Sequence, residues 1–262
     1  MQHLIWSIDP VFLDLGFLKI RWYGVMFALG FAGSFMTLQW MYQREGKPVE
    51  QLDTLLWYMM LSTIIGARLG HTLLYDPGYY LSHPLKILAI WEGGLASHGA
   101  TLGIILGLYL YRRCYGDGFW WLLDRVSIPT ALAGALIRIG NFFNSEILGI
   151  PTEQPWGVVF SRVDSLPRHP VQLYESACYL LIYGISLFIY KKHADKPGFA
   201  FGCFLSLLFS ARFGLEYFKT EQAAYDTAWS VTTGQLLSVP FVLVGLGCIA
   251  WALRGANQRR SA

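Results

Sequence analysis

The chain has 262 residues and a mass of 29.6 kDa, and its composition is 54% hydrophobic, 16% aromatic and only 14% charged. Soluble domains carry about 25% charged residues, so a water-soluble globule of this composition would lack the polar surface it needs. Disordered chains are poor in aromatic residues, four scattered cysteines make no disulfide scaffold, and a net charge of +3 is too small to indicate nucleic-acid binding. The composition therefore predicts an all-α polytopic membrane protein.

Apolar stretches long enough to cross a bilayer recur along the chain. A membrane-spanning helix needs about 20 mostly apolar residues. Seven stretches meet this requirement: 22–43, 54–75, 93–111, 121–143, 171–190, 198–218 and 227–251. The links between them are short except for 144–170, which predicts a small head segment outside the bilayer. We therefore expect a single integral membrane domain over residues 1–262.

The expected orientation follows from the distribution of lysine and arginine. The set of links that includes Arg44, Arg112 and Lys191 carries ten of these residues, and the opposite set carries six. Because cytoplasmic loops are enriched in Lys and Arg, the richer set should face the cytoplasm. The N-terminus and the 144–170 segment are then expected on the outer, periplasmic side, and the C-terminus on the cytoplasmic side.

Polar side chains fall at one depth of the predicted bundle. At a rise of 1.5 Å per residue, all of them lie within roughly the outer third of the bilayer. They are Tyr23, Arg68, His98, Arg138, Asn141, Asn144, Glu175, Arg212 and Glu216. Taken one at a time, each has a structural alternative, such as an arginine that extends to the headgroups or an interhelical hydrogen bond. Several spans that place polar groups at one level favour a shared site facing the bundle interior.

The residue types at this level indicate a phosphate-bearing ligand. Arginine forms bidentate hydrogen bonds with phosphate, and at headgroup depth the ligand would be an anionic phospholipid with its tails in the bilayer. His98 beside that phosphate would be suited to act as a general base. The nearby Gly94, Gly99 and Gly103 indicate either a broken helix lining a cavity or close helix packing. No pattern of residues predicts a metal site or a cofactor.

Two strings in the chain are specific enough to indicate a family. They are RIGNFFNSEILG at 138–149 and RHPVQLYE at 168–175. Weaker strings are WYG at 22–24, GARLG at 66–70, WEGG at 91–94, SHG at 97–99 and GQ at 234–235. With Arg212 and Glu216, these strings resemble the bacterial phosphatidylglycerol–prolipoprotein diacylglyceryl transferases over nearly the whole chain. At position 219, where that family usually has arginine, this chain has lysine.

The resemblance implies a seven-span enzyme of the bacterial cytoplasmic membrane with its active site toward the outer leaflet. Its substrates would be phosphatidylglycerol and the lipobox cysteine of a prolipoprotein signal peptide. The cysteine thiolate would displace glycerol phosphate from a glycerol carbon and form a thioether, without a cofactor. By the same resemblance, His98 would act as the base or orient it, and Arg138 and Arg212 would hold the departing phosphate.

The resemblance also implies a wider set of residues that bind substrate. This set is Tyr23, Arg68, Asn141, Asn144, Glu146, Gly149, Arg168, His169 and Glu216. Within it, Glu216 is expected to orient Arg212.

Two other classes of function compete with the transferase. One is a divergent protein that binds or moves anionic phospholipid, or uses another acceptor, with the same pocket. The other is a structural subunit. Polar groups are sparse in the predicted cytoplasmic halves, which disfavours a path across the membrane, and the burial of charge argues against a purely structural role.

Overall fold

The computed structural model describes residues 3–90, 94, 96–220 and 232–260, and most of these residues are α-helical. The helices are α1 Trp22–Arg44, α2 Glu50–Leu74, α3 Pro77–Ser82, α4 Ser97–Tyr115, α5 Phe119–Asn144, α6 Val171–His193, α7 Phe199–Leu215 and α8 Thr233–Arg260. Short 3₁₀ turns follow at Pro84–Leu88 and Glu216–Phe218. The mostly helical structure, with five helices long and apolar enough to cross a membrane, confirms the prediction of a helical membrane protein.

Five helices in the described part of the chain are long and apolar enough to cross a membrane. They coincide with the predicted spans 22–43, 121–143, 171–190, 198–218 and 227–251, although residues 227–231 lie outside the described residues. Helices α2 and α4 account for residues 54–74 of the predicted span 54–75 and for residues 97–111 of the predicted span 93–111, and residues 93 and 95 lie outside the described residues. These two helices are not among the five, and they carry Arg68, His71, Arg112 and Arg113.

Between residues 3 and 220, apart from the gaps given above, five short strands accompany the helices, and the all-α prediction did not include them. They are β1 Leu4–Trp6, β2 Val11–Asp14, β3 Lys19–Arg21, β4 Val158–Phe160 and β5 Pro167–Arg168. β4 pairs with β1 in parallel and with β5 antiparallel, while β2 and β3 form a separate antiparallel hairpin. Strands this short show too few alternating side chains to be recognised in a sequence.

The chain divides into two compact units. The larger unit comprises Met1–Leu38 and Asp124–Ala262, and the smaller comprises Gln39–Leu123. The larger unit has a buried core from α5, α6 and α7: Ala131, Ala135, Tyr179, Ile182, Phe204 and Leu205. A second buried cluster of Phe142, Val158 and Phe160 joins the end of α5 to the strands. The head segment is therefore fixed to the helix that carries the RIGN string.

In the smaller unit, α2 and α4 pack with their backbones almost in contact. A Cβ atom added to Gly66 would lie 2.4 Å from the carbonyl oxygen of Gly99, and one added to Gly99 would lie 2.1 Å from that of Gly66. A Cβ atom on Gly103 would lie 2.1 Å from the carbonyl oxygen of Ser62. Small residues permit such close approach of membrane helices. Close packing, one of the two interpretations of these glycines, thus accounts for Gly99 and Gly103.

A buried carboxylate caps helix α7 from outside the helix. Asp124 on α5 accepts hydrogen bonds from the backbone N–H groups of Gly198, at 2.7 Å, and Phe201, at 2.8 Å. The first N–H groups of a helix have no partner inside the helix, and the positive end of its dipole favours an anion. Arg125 next to Asp124 lies over the ring of Tyr190. The pair Asp124–Arg125 therefore connects α5 to α6 and α7.

Replacing Asp124 with alanine should destabilise the protein by about 1–3 kcal/mol, because it leaves buried N–H groups without an acceptor. Asp124→Asn keeps one acceptor oxygen, so it should lower the free energy of unfolding by less than Asp124→Ala. Thermal unfolding in detergent measures both effects, with Asp195→Ala, at an exposed carboxylate, as the control. If Asp124→Ala unfolds at the same temperature as the control, the capping role is wrong.

Candidate active site

The end of α5 turns the RIGN string back on itself. The N–H of Ser145 donates to the carbonyl of Phe142 at 3.1 Å, and the N–H of Glu146 donates to that of Asn141 at 3.0 Å. These two bonds form a Schellman motif, and Ser145 adopts the left-handed φ of 56° that the motif requires. The Glu146 carboxylate consequently accepts hydrogen bonds from the side-chain amides of Asn141, at 3.1 Å, and Asn144, at 3.0 Å.

Two side chains that the sequence analysis did not select hold this turn in place. Arg162 donates to the carbonyl of Phe143 at 2.7 Å and to the hydroxyl of Ser145 at 3.0 Å. Gln172, which is fully buried, donates to the carbonyl of Glu146 at 2.6 Å. Carbonyls at a helix C-terminus lack partners inside the helix, so these bonds satisfy groups that would otherwise stay unpaired. The turn is therefore fixed from both sides.

A buried network of charges lies beside the turn. Arg138 Nε contacts Glu175 Oε2 at 2.9 Å, and Lys219 Nζ contacts Glu175 Oε1 at 2.8 Å and Glu216 Oε2 at 3.2 Å. The side chains of Glu175 and Lys219 are only 0% and 4% exposed. Arg138 also donates to Asn141 Oδ1 at 3.4 Å. Two cations face two carboxylates, which is the condition under which buried charges are tolerated.

Arg212 on α7 stands outside this network. Its half-buried side chain makes no hydrogen bond or ion pair with the described residues. Tyr179 on α6 lies close enough to interact electrostatically with both Arg138 and Arg212. The expected orientation of Arg212 by Glu216 is not observed. Helix α7 ends one residue before Glu216 and tightens into a 3₁₀ turn, which directs that carboxylate toward Lys219.

The start of α8 gives a second reason for the position of Glu216. A Cβ atom added to Gly234 would lie 2.3 Å from Glu216 Oε1, so the carboxylate abuts the first turn of α8. Thr232 and Gln235 cap that turn reciprocally, with distances of 3.1 and 3.3 Å. A carboxylate is favoured at the positive end of a helix dipole.

Other predicted site residues of the larger unit fasten the head segment. Arg168 pairs with Asp164 at 2.5 Å and donates to the carbonyl of Gly149 at 3.1 Å, and the guanidinium holds the pKa of the Asp164 carboxyl below its usual value. His169 Nδ1 shares a hydrogen bond of 3.1 Å with the hydroxyl of Tyr174. These contacts order the loop after Gly149. A substrate contact for any of the three predicted residues stays a prediction.

Tyr23 lies at the start of α1, directly against α5. A Cβ atom added to Gly140 would lie 2.9 Å from Tyr23 Cδ2, so the glycine makes room for the tyrosine ring. The hydroxyl of Tyr23 makes no hydrogen bond with the described residues. It is therefore available to a ligand.

In the smaller unit, Arg68 holds the segment that precedes α4. It is buried, and its guanidinium donates to the carbonyls of Ile87 at 2.8 Å, Lys86 at 2.5 Å and Gly94 at 3.2 Å. The same group lies over the ring of Tyr80, 5.1 Å from its centroid. These contacts position the chain ahead of α4, and the expected contact of Arg68 with phosphate stays a prediction.

His98 lies in the first turn of α4 and is exposed. Its ring makes no hydrogen bond with the part of the chain that the structure describes. Residues 91–93 of the WEGG string lie outside that part. His71 on α2, which the sequence analysis did not select, lies near the same segment, because a Cβ atom on Gly94 would be 2.6 Å from its Nε2.

An apolar groove of about 620 Å³ follows α2 and α4. Leucine and isoleucine side chains form much of its wall, including Leu61, Ile65, Leu69, Leu102 and Leu106. Gly99, which follows His98 directly, also lines it. None of the described residues that line the groove is charged, so the groove suits an acyl chain.

The comparison with known proteins decides the family. The family model described as prolipoprotein diacylglyceryl transferase matches residues 10–251. The chain belongs to this family. A protein of Tolumonas auensis is 53% identical over 245 residues, which are 93% of this chain and 95% of that protein. A protein of Chloroherpeton thalassium is 44% identical over 263 residues, 99% and 98% of the two chains, and one of Porphyromonas gingivalis is 41% identical over 270 residues, 96% and 95%.

All three relatives are named phosphatidylglycerol–prolipoprotein diacylglyceryl transferase. The family suggested by the RIGN and RHPVQLYE strings is thereby confirmed. As a member of the prolipoprotein diacylglyceryl transferase family, the chain is a transferase of lipoprotein biosynthesis. Among the described residues, no group of three or more His, Cys, Asp or Glu side chains is placed to hold a metal ion.

Gly149→Ala should destabilise the protein by about 1–3 kcal/mol, because the added methyl group overpacks a filled site. Its Cβ would lie 2.3 Å from the carbonyl oxygen of His169 and 2.8 Å from Val171 Cγ2. Gly184→Ala is the matched control, since nothing lies within 4 Å of a Cβ at that position on α6. Thermal unfolding compares the two variants. Equal unfolding temperatures would show that the loop around Gly149 moves to accommodate the methyl group without loss of stability.

Proposed function

We propose that this chain transfers the diacylglyceryl group of phosphatidylglycerol to the lipobox cysteine of a prolipoprotein. The observation that supports phosphate binding by the larger unit is the difference between the two arginines expected to hold phosphate, Arg138 and Arg212. Arg138 is paired with Glu175, whereas Arg212 has no ion pair among the described residues. A cation near headgroup depth without an internal partner is suited to an anionic ligand.

The proposed reaction is a displacement at the glycerol carbon that carries the phosphate. The cysteine sulfur forms a bond to that carbon while the carbon–oxygen bond to phosphate breaks, and glycerol phosphate leaves with the electron pair. The thiol proton passes to His98, whose ring has no partner among the described residues. Arg212, with Arg138 beside Tyr179, stabilises the charge that builds up on the departing phosphate.

Headgroup recognition is proposed for the turn at the end of α5. Asn141 and Asn144 are both held by Glu146, so their side chains are preorganised. Asn144 Oδ1 is buried and has no hydrogen-bond donor among the described residues. A buried acceptor without a donor is costly, and a glycerol hydroxyl would supply one. Tyr23 would add a free hydroxyl, and Arg68, Gly149, Arg168 and His169 would shape the surroundings.

The proposed placement in the membrane follows the lysine and arginine distribution. Helices α2 and α4 complete seven spans, the N-terminus and the head segment 144–170 face the periplasm, and the C-terminus faces the cytoplasm. The membrane is the bacterial cytoplasmic membrane, and the site opens toward the outer leaflet. Acyl tails would remain in the bilayer or enter the groove along α2 and α4.

Purified protein, phosphatidylglycerol and a lipobox peptide test the proposal directly. Mass spectrometry should detect a peptide that gains a diacylglyceryl group, together with free glycerol phosphate. His98→Ala should abolish product, and a peptide with serine in place of cysteine should give none. A protein that binds phosphatidylglycerol tightly but yields no thioether would support the lipid-binding or lipid-moving alternative instead.

A further inference from the structure

The β2–β3 hairpin has an exposed apolar tip, whose residues are not part of the candidate active site. The tip is Leu15–Leu18, between β2 and β3. Phe17 is 92% exposed, and Leu15 and Leu18 are 48% and 50% exposed. Unlike the exposed leucines of the helices, these residues precede the first membrane-spanning helix, so a span does not account for their exposure.

The tip has a defined conformation. The N–H of Leu15 donates to the carbonyl of Leu18 at 3.0 Å, and Gly16 has a φ of 80° that suits glycine. The N–H of Gly16 donates to Asp14 Oδ1 at 2.9 Å. The backbone of the tip is therefore ordered by its own hydrogen bonds, while the side chain of Phe17 is almost fully exposed and those of Leu15 and Leu18 are half exposed.

The hairpin is rigidly joined to the membrane-spanning helix. β3 ends at Arg21 and α1 begins at the next residue, Trp22. The ring of Phe12 packs edge-on against Trp22 with centroids 4.5 Å apart, and Trp22 stacks on Phe143 of α5 at 4.7 Å. Three residues of β3 span about 10 Å. Leu18 and Phe17 stand four and five residues before Trp22, so they lie at most about 13–17 Å from the end of a span, within reach of the headgroup layer, which is about 5–8 Å thick.

The charges around the tip suit the headgroup layer. Lys19 pairs with Asp14 at 3.4 Å on the side of the tip nearer the helix. Arg21 is exposed and makes no ion pair with the described residues. Apolar tips flanked by lysine and arginine are the pattern of segments that insert into the boundary between headgroups and acyl chains.

From these observations we propose that Leu15, Phe17 and Leu18 insert into the lipid leaflet on the side where α1 begins, with Arg21 at the level of the phosphates. The hairpin is then an interfacial anchor separate from the spans. Because Trp22 and Phe143 connect it to the end of α5, the anchor fixes the depth of Asn144 and its neighbours relative to the headgroups. A second copy of the chain or a bound peptide would be the alternative occupant of the tip.

Photocrosslinking of the full-length protein in vesicles of phosphatidylethanolamine and phosphatidylglycerol tests this inference. p-Benzoylphenylalanine replaces Phe17, and mass spectrometry identifies the adducts after irradiation. We expect lipid adducts at about tenfold higher yield than for the same probe at the exposed head residue Glu153. The probe at Leu29, exposed on the span α1, provides the lipid-facing standard.

Three outcomes would overturn the inference: a yield at Phe17 no higher than at Glu153, covalent dimers in place of lipid adducts, or adducts that form only when a lipobox peptide is added. Leu18 carries the probe in a second variant, so that poor expression of one variant does not decide the result. The measurement needs no enzymatic turnover. A failed transferase assay would therefore leave this inference standing, and the reverse also holds.

Discussion

Replacing Arg212 with glutamine is expected to lower kcat/KM for diacylglyceryl transfer by about 100- to 1,000-fold, the range found when one donor to a developing oxyanion is removed. The side chain of Arg212 makes no hydrogen bond or ion pair with the described residues, so its removal breaks no internal contact of that kind. Thermal unfolding should therefore stay at the wild-type temperature. Activity and stability are separated in this variant, which makes it the cleanest test of a phosphate-binding role.

The conservative change Arg212→Lys should recover part of the activity, because lysine keeps the charge but lacks the planar fork of the guanidinium. Arg113→Gln, at an exposed arginine of α4, is the control for loss of one positive charge. Wild-type turnover in Arg212→Gln would mean that the free guanidinium has no part in the reaction. A large fall in unfolding temperature would mean that it supports the fold.

Glu175→Ala is expected to destabilise the protein by about 3–5 kcal/mol and to abolish activity as a consequence. The substitution leaves Arg138 and Lys219 buried without their shared carboxylate, and an uncompensated buried charge has a cost of this size. Thermal unfolding in detergent measures the loss. The unfolding temperature of Glu175→Gln should lie between those of the wild type and Glu175→Ala, because the amide keeps the shape of the side chain but not its charge.

A double-mutant cycle distinguishes a charge network from simple packing. Glu175→Met and Lys219→Met each remove one member of the pair, and the double variant with both changes should be less destabilised than the sum of these two single changes. If the two effects simply add, the ion pair between Glu175 and Lys219 contributes nothing specific. Glu153→Ala, at an exposed carboxylate of the head, controls for loss of a negative charge.

The sequence was sufficient to predict the seven long helices because each extends over some 20 mostly apolar residues, whereas the six-residue helix α3 was not predicted. It was also sufficient for the family, since two long strings near the end of α5 and the start of α6 carry it. The strands were missed because none exceeds four residues. Local periodicity cannot reveal pairing between residues as distant as Leu4 and Val158.

Within the candidate site, the sequence predicted a cluster of polar side chains, but not which of them are buried or which of them pair. Lys219 directly follows the predicted span 198–218, so the sequence predicts that it lies in a link, yet it is buried between two carboxylates. The burial of Lys219 depends on the 3₁₀ turn at the end of α7. No single residue in the sequence predicts that turn. In the sequence, Asp124 is a charged residue near the edge of a predicted span. Its capping of α7 depends on the packing of helices that are distant in the sequence, which the sequence alone does not give.

The imbalance of charge around Arg212 has a practical consequence. The quartet of Arg138, Lys219, Glu175 and Glu216 is electrically neutral, so a guanidinium outside it has no counterion among the described residues. Such a group attracts small oxyanions as readily as a lipid. Inorganic phosphate or sulfate in an assay buffer should therefore act as a competitive inhibitor, and phosphonate analogues of glycerol offer a starting point for inhibitor design.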